Sequence, residues 1–332
     1  MENFGYIQFK DVYLGGSSAT VGKKEMAGPL REWFDLHEED EYFGMPTFEQ
    51  AESEMVRRNL AHLFEKMNLK DEDVGVLLGG DLLNQCTGTS FGIKSHTIPF
   101  LGLYGACSTI AEGLLVGSML VQGGFVPSAV AMASSHYCTA ERQYRFPPEY
   151  GNQRPPTAQY TVTGAGAFYL TRVPSPIRIA EGIIGRIVDG GITDANNMGA
   201  AMAPAAADTI LRYFGESGRR PEEFDAIVTG DLGREGLELV QELVHQGGLE
   251  IAPRHMDGGL LIFDLKKQDM HCGGSGCGCL STVLGGYLVK RMRAGELKRI
   301  LAVGTGALLN ASTPLQKLSI PGIAHAVCLE AV

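Results

Sequence analysis

The sequence predicts an α/β protein made of a duplicated unit. Short apolar runs rich in Val, Ile and Ala alternate with longer stretches of helical spacing, the order expected of strands joined by crossover helices. The same order then occurs twice. Gly79-Gly80-Asp81-Leu82 is echoed by Thr229-Gly230-Asp231-Leu232 at an offset of 150 residues. Gly105 pairs with Gly276, Gly124 with Gly295, and Ala129-Val130-Ala131-Met132 with Ile300-Leu301-Ala302-Val303, all at an offset of 171. Several matches in one order argue for duplication rather than chance, and half-lengths of roughly 160 to 170 residues are far too long for a solenoid repeat. The boundary is expected near Val173-Pro174, giving halves 1–172 and 173–332.

The first expected strand, Tyr6 to Leu14, alternates and is expected to end at Gly15-Gly16. Residues 29–47 are acidic, carry Trp33, and read as an irregular surface excursion. Thr47 and Gln50 form a capping box for a helix from Phe48 to Met67, with Ala51, Met55, Leu60 and Phe64 at helical spacing. Val74 to Leu78 reads as a buried strand closed by Gly79-Gly80-Asp81, and Ile98 to Tyr104 as another. A helix follows Cys107 and runs to Gln122, where Gly123-Gly124 stop it. Ala129 to Ala133 is a strand, Glu141 to Pro156 a Pro- and Arg-containing loop, and Ala165 to Leu170 the last strand of the half. In the second half Ala226 to Val228 and Ala324 to Leu329 take the matching places.

Composition narrows the function classes. The 332 residues carry 28 Lys plus Arg against 38 Asp plus Glu, a net charge of −10, with no basic run interleaved with aromatics. Nucleic acid and anionic membrane are therefore poor partners. Seven cysteines, 44 glycines and no signal-peptide pattern at Met1-Glu2-Asn3-Phe4 fit a reduced, intracellular protein. Apolar stretches such as Leu114 to Val121 read as too short and too Gly-broken to span a bilayer.

Cys107 stands where a strand breaks at Gly105 and a helix begins. A thiol in a first helical turn sits among unpaired N–H groups at the positive end of the helix dipole, so its pKa is expected to fall and the turn to attract anions. The competing reading is a small buried hydrophobe, the commonest fate of a free cysteine. His136 follows a strand end close to Cys138, where functional groups gather in α/β folds, although a capping role is the commoner one there. Asp81 and Asp231 occupy equivalent turns; an Asp after Gly is ordinarily a turn or cap residue, but two related by the repeat can both face a central cleft. Glu141, Arg142, Arg145 and Arg154 make a charged loop, and arginine forks are what a dicarboxylate needs. His271, Cys272, Cys277 and Cys279 have Cys-x4-Cys-x-Cys spacing, which fits neither a zinc ribbon nor a common cluster motif, so no metal is expected. Gly274-Ser275-Gly276-Cys277-Gly278 is not a dinucleotide fingerprint, and no cofactor is expected.

The tandem halves, the Gly105-Ala106-Cys107-Ser108 turn and the matching turn His271 to Cys279 resemble the thiolase superfamily, which includes the ketoacyl-ACP synthase III type condensing enzymes. Longer stretches carry a closer resemblance to one branch, the stage V sporulation protein AD family. They are Gly80 to Gln85, Phe100 to Thr109, Ser134-Ser135-His136, Thr139 to Pro147, Met202 to Ile210, Thr229 to Leu232, Gly273 to Cys277 and Thr305 to Leu309, spread over nearly the whole chain.

The resemblance implies a five-layer α/β/α/β/α thiolase-like fold with pseudo-twofold halves. Condensing enzymes pair the cysteine with a histidine and an asparagine, or with two histidines. Here Gly230 stands at the histidine position and Gly273-Gly274-Ser275 at the Gly-Asn-Thr turn, so the partners that stabilise the oxyanion are missing. Loss of one such donor alone costs about 100- to 1,000-fold in rate. The resemblance therefore implies a non-catalytic protein that binds dipicolinic acid, or its calcium chelate, and helps move it into the developing spore with membrane-embedded SpoVA partners. It also implies a homodimer, with Pro127 to Ala133 as the strand that pairs across the twofold. A condensing enzyme or acyltransferase using Cys107 is the alternative. The expected ligand residues are Cys107, Asp81, His136, Arg142, Arg145, Asp231, Gly274 and Ser275.

Overall fold

The computed structural model describes residues 5–144 and 154–332. In the first half, strand β1 (Tyr13–Val21) leads through helix α1 (Phe48–Met67) to β2 (Val76–Gly80) and β3 (Phe100–Gly102). Helix α2 (Thr109–Gly123), β4 (Ser128–Ser135), helix α3 (Tyr137–Tyr144) and β5 (Gly164–Thr171) complete it. The second half runs β6 (Ile177–Ile183), α4 (Met198–Ser217), β7 (Ala226–Thr229), α5 (Gly233–Gln246) and β8 (His255–Asp257). It continues through α6 (Cys277–Thr282), β9 (Arg299–Ala307) and β10 (Gly322–Ala331).

The strands are ordered β8-β7-β9-β10-β6-β1-β5-β4-β2-β3. Read outward from the centre, β1-β5-β4-β2-β3 and β6-β10-β9-β7-β8 are the same topology, each with two antiparallel pairings followed by two parallel ones. The two sheets meet through the single pair Tyr13 and Arg178. Helix α2 packs against β2 and β4 on one side and against β9 and β10 on the other, so it lies between the sheets; α6 packs beside it against β4 and β5. On the outside, α1 covers β1 and β5, while α4 covers β9 and β10 and carries α5. This is the five-layer arrangement.

An apolar helix clad on two faces needs apolar residues all round. Ile110, Ala111, Leu114, Leu115 and Val121 of α2 are accordingly all buried. Ala106–Gly123 is in fact long and apolar enough to cross a membrane, by length and composition. The reading of the apolar stretches as uniformly too short is corrected in that sense; here the segment is the central helix between the sheets.

Two other expectations change. The expected strand Tyr6 to Leu14 is two, Tyr6–Gln8 pairing antiparallel with β6 and a second that starts at Tyr13 as β1; Gly15-Gly16 does not end the latter, since the register shifts between Leu14 and Gly16 and the strand runs on to Val21, because glycine in a strand accommodates a bulge as readily as a turn. Pro127 to Ala133 is not an edge. Its strand, β4, lies between β2 and β5 and is apolar because both faces and both sides are covered. The free edge of that sheet is β3, where Leu101 is 47% exposed.

Candidate functional site

The turn carrying Cys107 is built from the strand it sits on. Gly105 accepts hydrogen bonds from the Ser108 amide at 3.1 Å and the Ser108 hydroxyl at 2.6 Å, and Ala106 takes a left-handed φ of 50°. The turn is pressed against β9, and a Cβ on Gly306 would lie 2.5 Å from the Gly105 carbonyl oxygen. Only glycine leaves room for that approach. Cys107 is thereby held, 8% exposed, at the floor of a cavity of about 400 Å³.

The corresponding turn of the second half faces it. Cys277, the first residue of α6, donates its thiol hydrogen to the Ala106 carbonyl at 3.0 Å, and the Cys107 thiol neighbours Cys277 and the Asp231 carboxyl group. Asp231 is buried at the end of β7. It accepts from Thr305 Oγ1 at 2.6 Å, from Ser275 Oγ at 3.0 Å and from the Gly276 amide at 3.2 Å. The donors that open the second central helix, Ser275 Oγ and the Gly276 amide, are thus already engaged by the chain's own carboxyl group.

These contacts reverse the expected chemistry of the thiol. The Cys277 thiol beside it, burial, and the charge of Asp231 push Cys107 well above the ordinary cysteine range. A helix start lowers a thiol pKa only when its field is not outweighed; here a carboxylate and a dry setting outweigh it. Burial raises Asp231 as well, opposed by the donors from Thr305, Cys107, Gly276 and Ser275. At the positions where a condensing enzyme has an imidazole and an amide, Gly230 contributes its carbonyl to the Cys279 thiol at 3.2 Å, and Gly274 accepts from Gln159 Nε2 at 3.2 Å.

Above Cys107 the cavity is walled by Leu82, by Ala140, Glu141 and Tyr144 of α3, by Gln159 and Thr161, and by Ser275 and Gly276. Ala195, Asn196 and Met198 form another side, and Ala307, Leu309, Ala311, Pro314 and Leu315 the mouth. Among the described residues no Lys or Arg lines it. Tyr144 donates to the Leu82 carbonyl at 2.8 Å, with its phenol pushed up by burial.

Of the expected ligand residues, Cys107 and Ser275 line the cavity, with Asp231 and Gly274 directly behind them. Three others lie apart. Asp81 accepts from the Leu83 amide at 2.8 Å and from the Thr89 amide and hydroxyl at 2.6 and 2.7 Å, fixing the chain after β2. His136 is buried, hydrogen-bonds through Nε2 to the Glu41 carbonyl at 2.8 Å and accepts from the Cys138 amide at 3.2 Å, capping α3; burial lowers its pKa. Arg142 pairs with Glu49 at 2.6 Å over the Phe48 ring and borders a separate hollow with Asn84 and Gln85. Arg145 lies outside the described residues. Arg154 is held by Asp269 at 3.0 Å. No group of three or more His, Cys, Asp or Glu able to hold a metal occurs among the described residues.

Sequence reasoning missed Thr305, Gln159, Tyr144, Asn196 and Met198. A signal for the first was present: Gly304 and Gly306 alternate in an otherwise apolar strand, which marks a close backbone approach. The rest, Tyr144 and Met198 at helix ends and Gln159 and Asn196 in loops, carry no such signature.

Solved structures share this fold. A variant of OleA from Xanthomonas campestris superposes with a TM-score of 0.61 at 16% identity, covering 98% of this chain and 99% of that one. The 3-oxoacyl-[acyl-carrier-protein] synthase III of Aquifex aeolicus VF5 gives 0.58 at 13% identity, covering 96% and 99%. At such identity they establish the thiolase-like fold alone. Stage V sporulation protein AD of Bacillus subtilis (strain 168) is 41% identical over 319 residues, covering 96% of this chain and 94% of that protein. The family model for stage V sporulation protein AD matches residues 6–330. With its duplicated thiolase-like fold and a match over nearly its whole length, this chain belongs to the stage V sporulation protein AD family.

Proposed function

We propose that this chain is a non-catalytic binding protein for dipicolinic acid or its calcium chelate, acting in sporulation. It keeps the cavity of a condensing enzyme without the chemistry. The observation that carries this reading is the Asp231 carboxylate against the Cys107 thiol, where a condensing enzyme needs donors for an oxyanion. A carboxylate there repels both a thiolate and the negative charge of a tetrahedral intermediate. The same charge, with Glu141 in the cavity wall, favours the calcium chelate, in which the cation offsets the dianion, over the free dianion. The ligand residues in this reading are Cys107 and Ser275, backed by Asp231 and Gly274, with the planar ring between apolar groups such as Leu82, Met198 and Leu309.

The partners follow the same reading: SpoVA membrane proteins that pass the ligand onward, with this chain peripheral at the forespore or spore inner membrane. A homodimer through the free edge of β3 fits the exposure of Phe91, Leu101 and Tyr104 around it. The division at 172/173 falls in the Arg172 to Pro176 connection between β5 and β6.

Calorimetry tests the ligand. Dipicolinate, with and without calcium, should bind at one site per chain and more tightly than picolinate, and enlarging Cys107 to Phe should abolish binding. Equal affinity for dipicolinate, picolinate and benzoate would remove the assignment. Incubation with acetyl-CoA that adds an acetyl group to Cys107, read as a mass shift, would favour an acyltransferase instead. Light scattering showing only a 35.6 kDa species at micromolar concentration would overturn the dimer.

A further inference from the structure

The cavity wall formed by α3 rests on a buried acid that has a second one beside it. Glu52 of α1 and Asp81 after β2 are both 0% exposed. Their carboxyl carbons lie 3.1 and 3.2 Å from the point that a Cβ on Gly88 would occupy. Glu52 Oε1 accepts from Ser134 Oγ at 3.1 Å, and its Oε2 lies 2.6 Å from Thr139 Oγ1, in the first turn of α3. No Lys or Arg among the described residues forms an ion pair with either acid. The charged neighbour on the same helix is Glu49, which Arg142 engages one turn away; His136, beside Thr139, is kept neutral by burial.

Two arrangements of hydrogens fit the contact between Thr139 and Glu52. The Thr139 hydroxyl has one hydrogen, and its oxygen is 2.9 Å from the His136 carbonyl oxygen, which can only accept, as well as 2.6 Å from Glu52 Oε2. Directed to Glu52, the Thr139 hydrogen bonds a carboxylate, the His136 carbonyl being already met by the Ala140 amide at 3.0 Å; directed to the carbonyl, it leaves the short contact a hydrogen bond only if Glu52 supplies the proton. Asp81, facing the amides of Leu83 and Thr89, is the member of the pair built to stay charged. Two like charges this close in a dry site cannot both persist.

We propose that Glu52 is a positioning residue: the like charge of Asp81 in the same dry site keeps it a neutral acid that donates to Thr139 and holds α3, with Ala140, Glu141 and Tyr144, in place as a wall of the cavity, and loss of its proton loosens that wall by setting a second buried negative charge beside Asp81. Burial, then the charge of Asp81, push Glu52 up to about 8 from an ordinary value of 4.5. Because the folded-state value is the higher one, this group's contribution to stability is full below the ordinary range and declines as pH rises toward 8. The ligand affinity predicted from this rests on the function proposed above; the proton itself does not.

Glu52→Gln keeps a donor for Thr139 and an acceptor for Ser134 but cannot titrate. Urea unfolding of both proteins from pH 5 to 9 should show wild-type stability falling relative to the variant as pH rises. At pH 9, amide exchange across α3 should be faster in wild type than in Glu52→Gln, while Thr139→Val should speed it at every pH. Dipicolinate affinity should drop above pH 8 in wild type, by at most about tenfold per pH unit for one linked proton, and stay flat in the variant. An infrared carboxylic-acid carbonyl band at neutral pH should be lost in Glu52→Gln. Identical pH slopes and identical α3 exchange in the two proteins would overturn the proposal. If the stability and infrared differences hold but dipicolinate binds neither protein, the proton assignment stands and the ligand reading falls.

Discussion

The Cys277 thiol donates a 3.0 Å hydrogen bond to the carbonyl of Ala106, the residue before Cys107. The turns that open the two central helices therefore touch, and Asp231 closes the triangle by contacting Cys107 and the Gly276 amide. Charge, burial and thiol chemistry in the cavity all depend on this junction.

The first prediction concerns the thiol. Cys107 of the native protein should alkylate with iodoacetamide far more slowly at pH 8 than free cysteine does, since its pKa lies well above the ordinary value. Asp231→Asn removes a negative charge and should speed the reaction, by up to about tenfold for each unit by which the thiol pKa falls. Peptide mass spectrometry over a time course measures both. Rapid wild-type alkylation would contradict the geometry.

Arg142 should matter little to the ligand. It is 56% exposed, paired with Glu49, and faces another hollow, so Arg142→Ala should change dipicolinate affinity by less than about twofold and stability by at most about 1 kcal/mol. A tenfold loss by calorimetry would mean that the side chain enters the cavity when ligand binds.

Acid should destabilise the fold through two buried histidines. Burial lowers His255 and His325 to about 4, and His325 Nδ1 accepts the Gly185 amide at 3.1 Å. Their folded-state values are depressed, so the stability they contribute is present above the unfolded value near 6.5 and is lost as pH falls from there toward 4. The full effect is about 3 kcal/mol per histidine. Urea unfolding between pH 7 and 4 should show a shallower loss in His325→Asn than in wild type.

Helix α6 crosses β5 with no spare room. A Cβ on Gly166 would lie 2.3 Å from the Ser281 carbonyl oxygen, a backbone atom that cannot swing aside. Gly166→Ala should cost about 1 to 3 kcal/mol or more, read as a lower denaturation midpoint, with the cavity disturbed because α6 carries Cys277. Wild-type stability would show that the layers pack more loosely.

Much of the fold was legible in the chain. The capped helix at Phe48–Met67 matches its expected bounds, and Gly124 ends α2 with φ 74°, because caps and apolar periodicity are local signals. Duplication was legible because two copies of one topology bury equivalent positions and so keep similar residues at fixed offsets. The missing histidine and asparagine were legible as Gly230 and Gly274. The site was less so. Whether Asp81 or Asp231 reaches Cys107 depends on which turn the opposite half presses against the cavity, and the two have the same local sequence. Arg142 sits on the helix that walls the cavity and His136 caps it, yet their side chains point to Glu49 on α1 and to the Glu41 carbonyl in the segment before it, a matter of how α3 packs against that part of the chain.

The sequence by itself determined the alternation of strands and helices, the repeat and the loss of condensing-enzyme residues, since each rests on residue type and spacing along one chain. Only the tertiary structure decided the protonation chemistry. A helix start predicts a lowered thiol pKa, but the carboxylate of Asp231, brought from 124 residues away, reverses it. The field at a buried group is the sum over everything packed around it, and that sum exists only when the two halves have closed on each other.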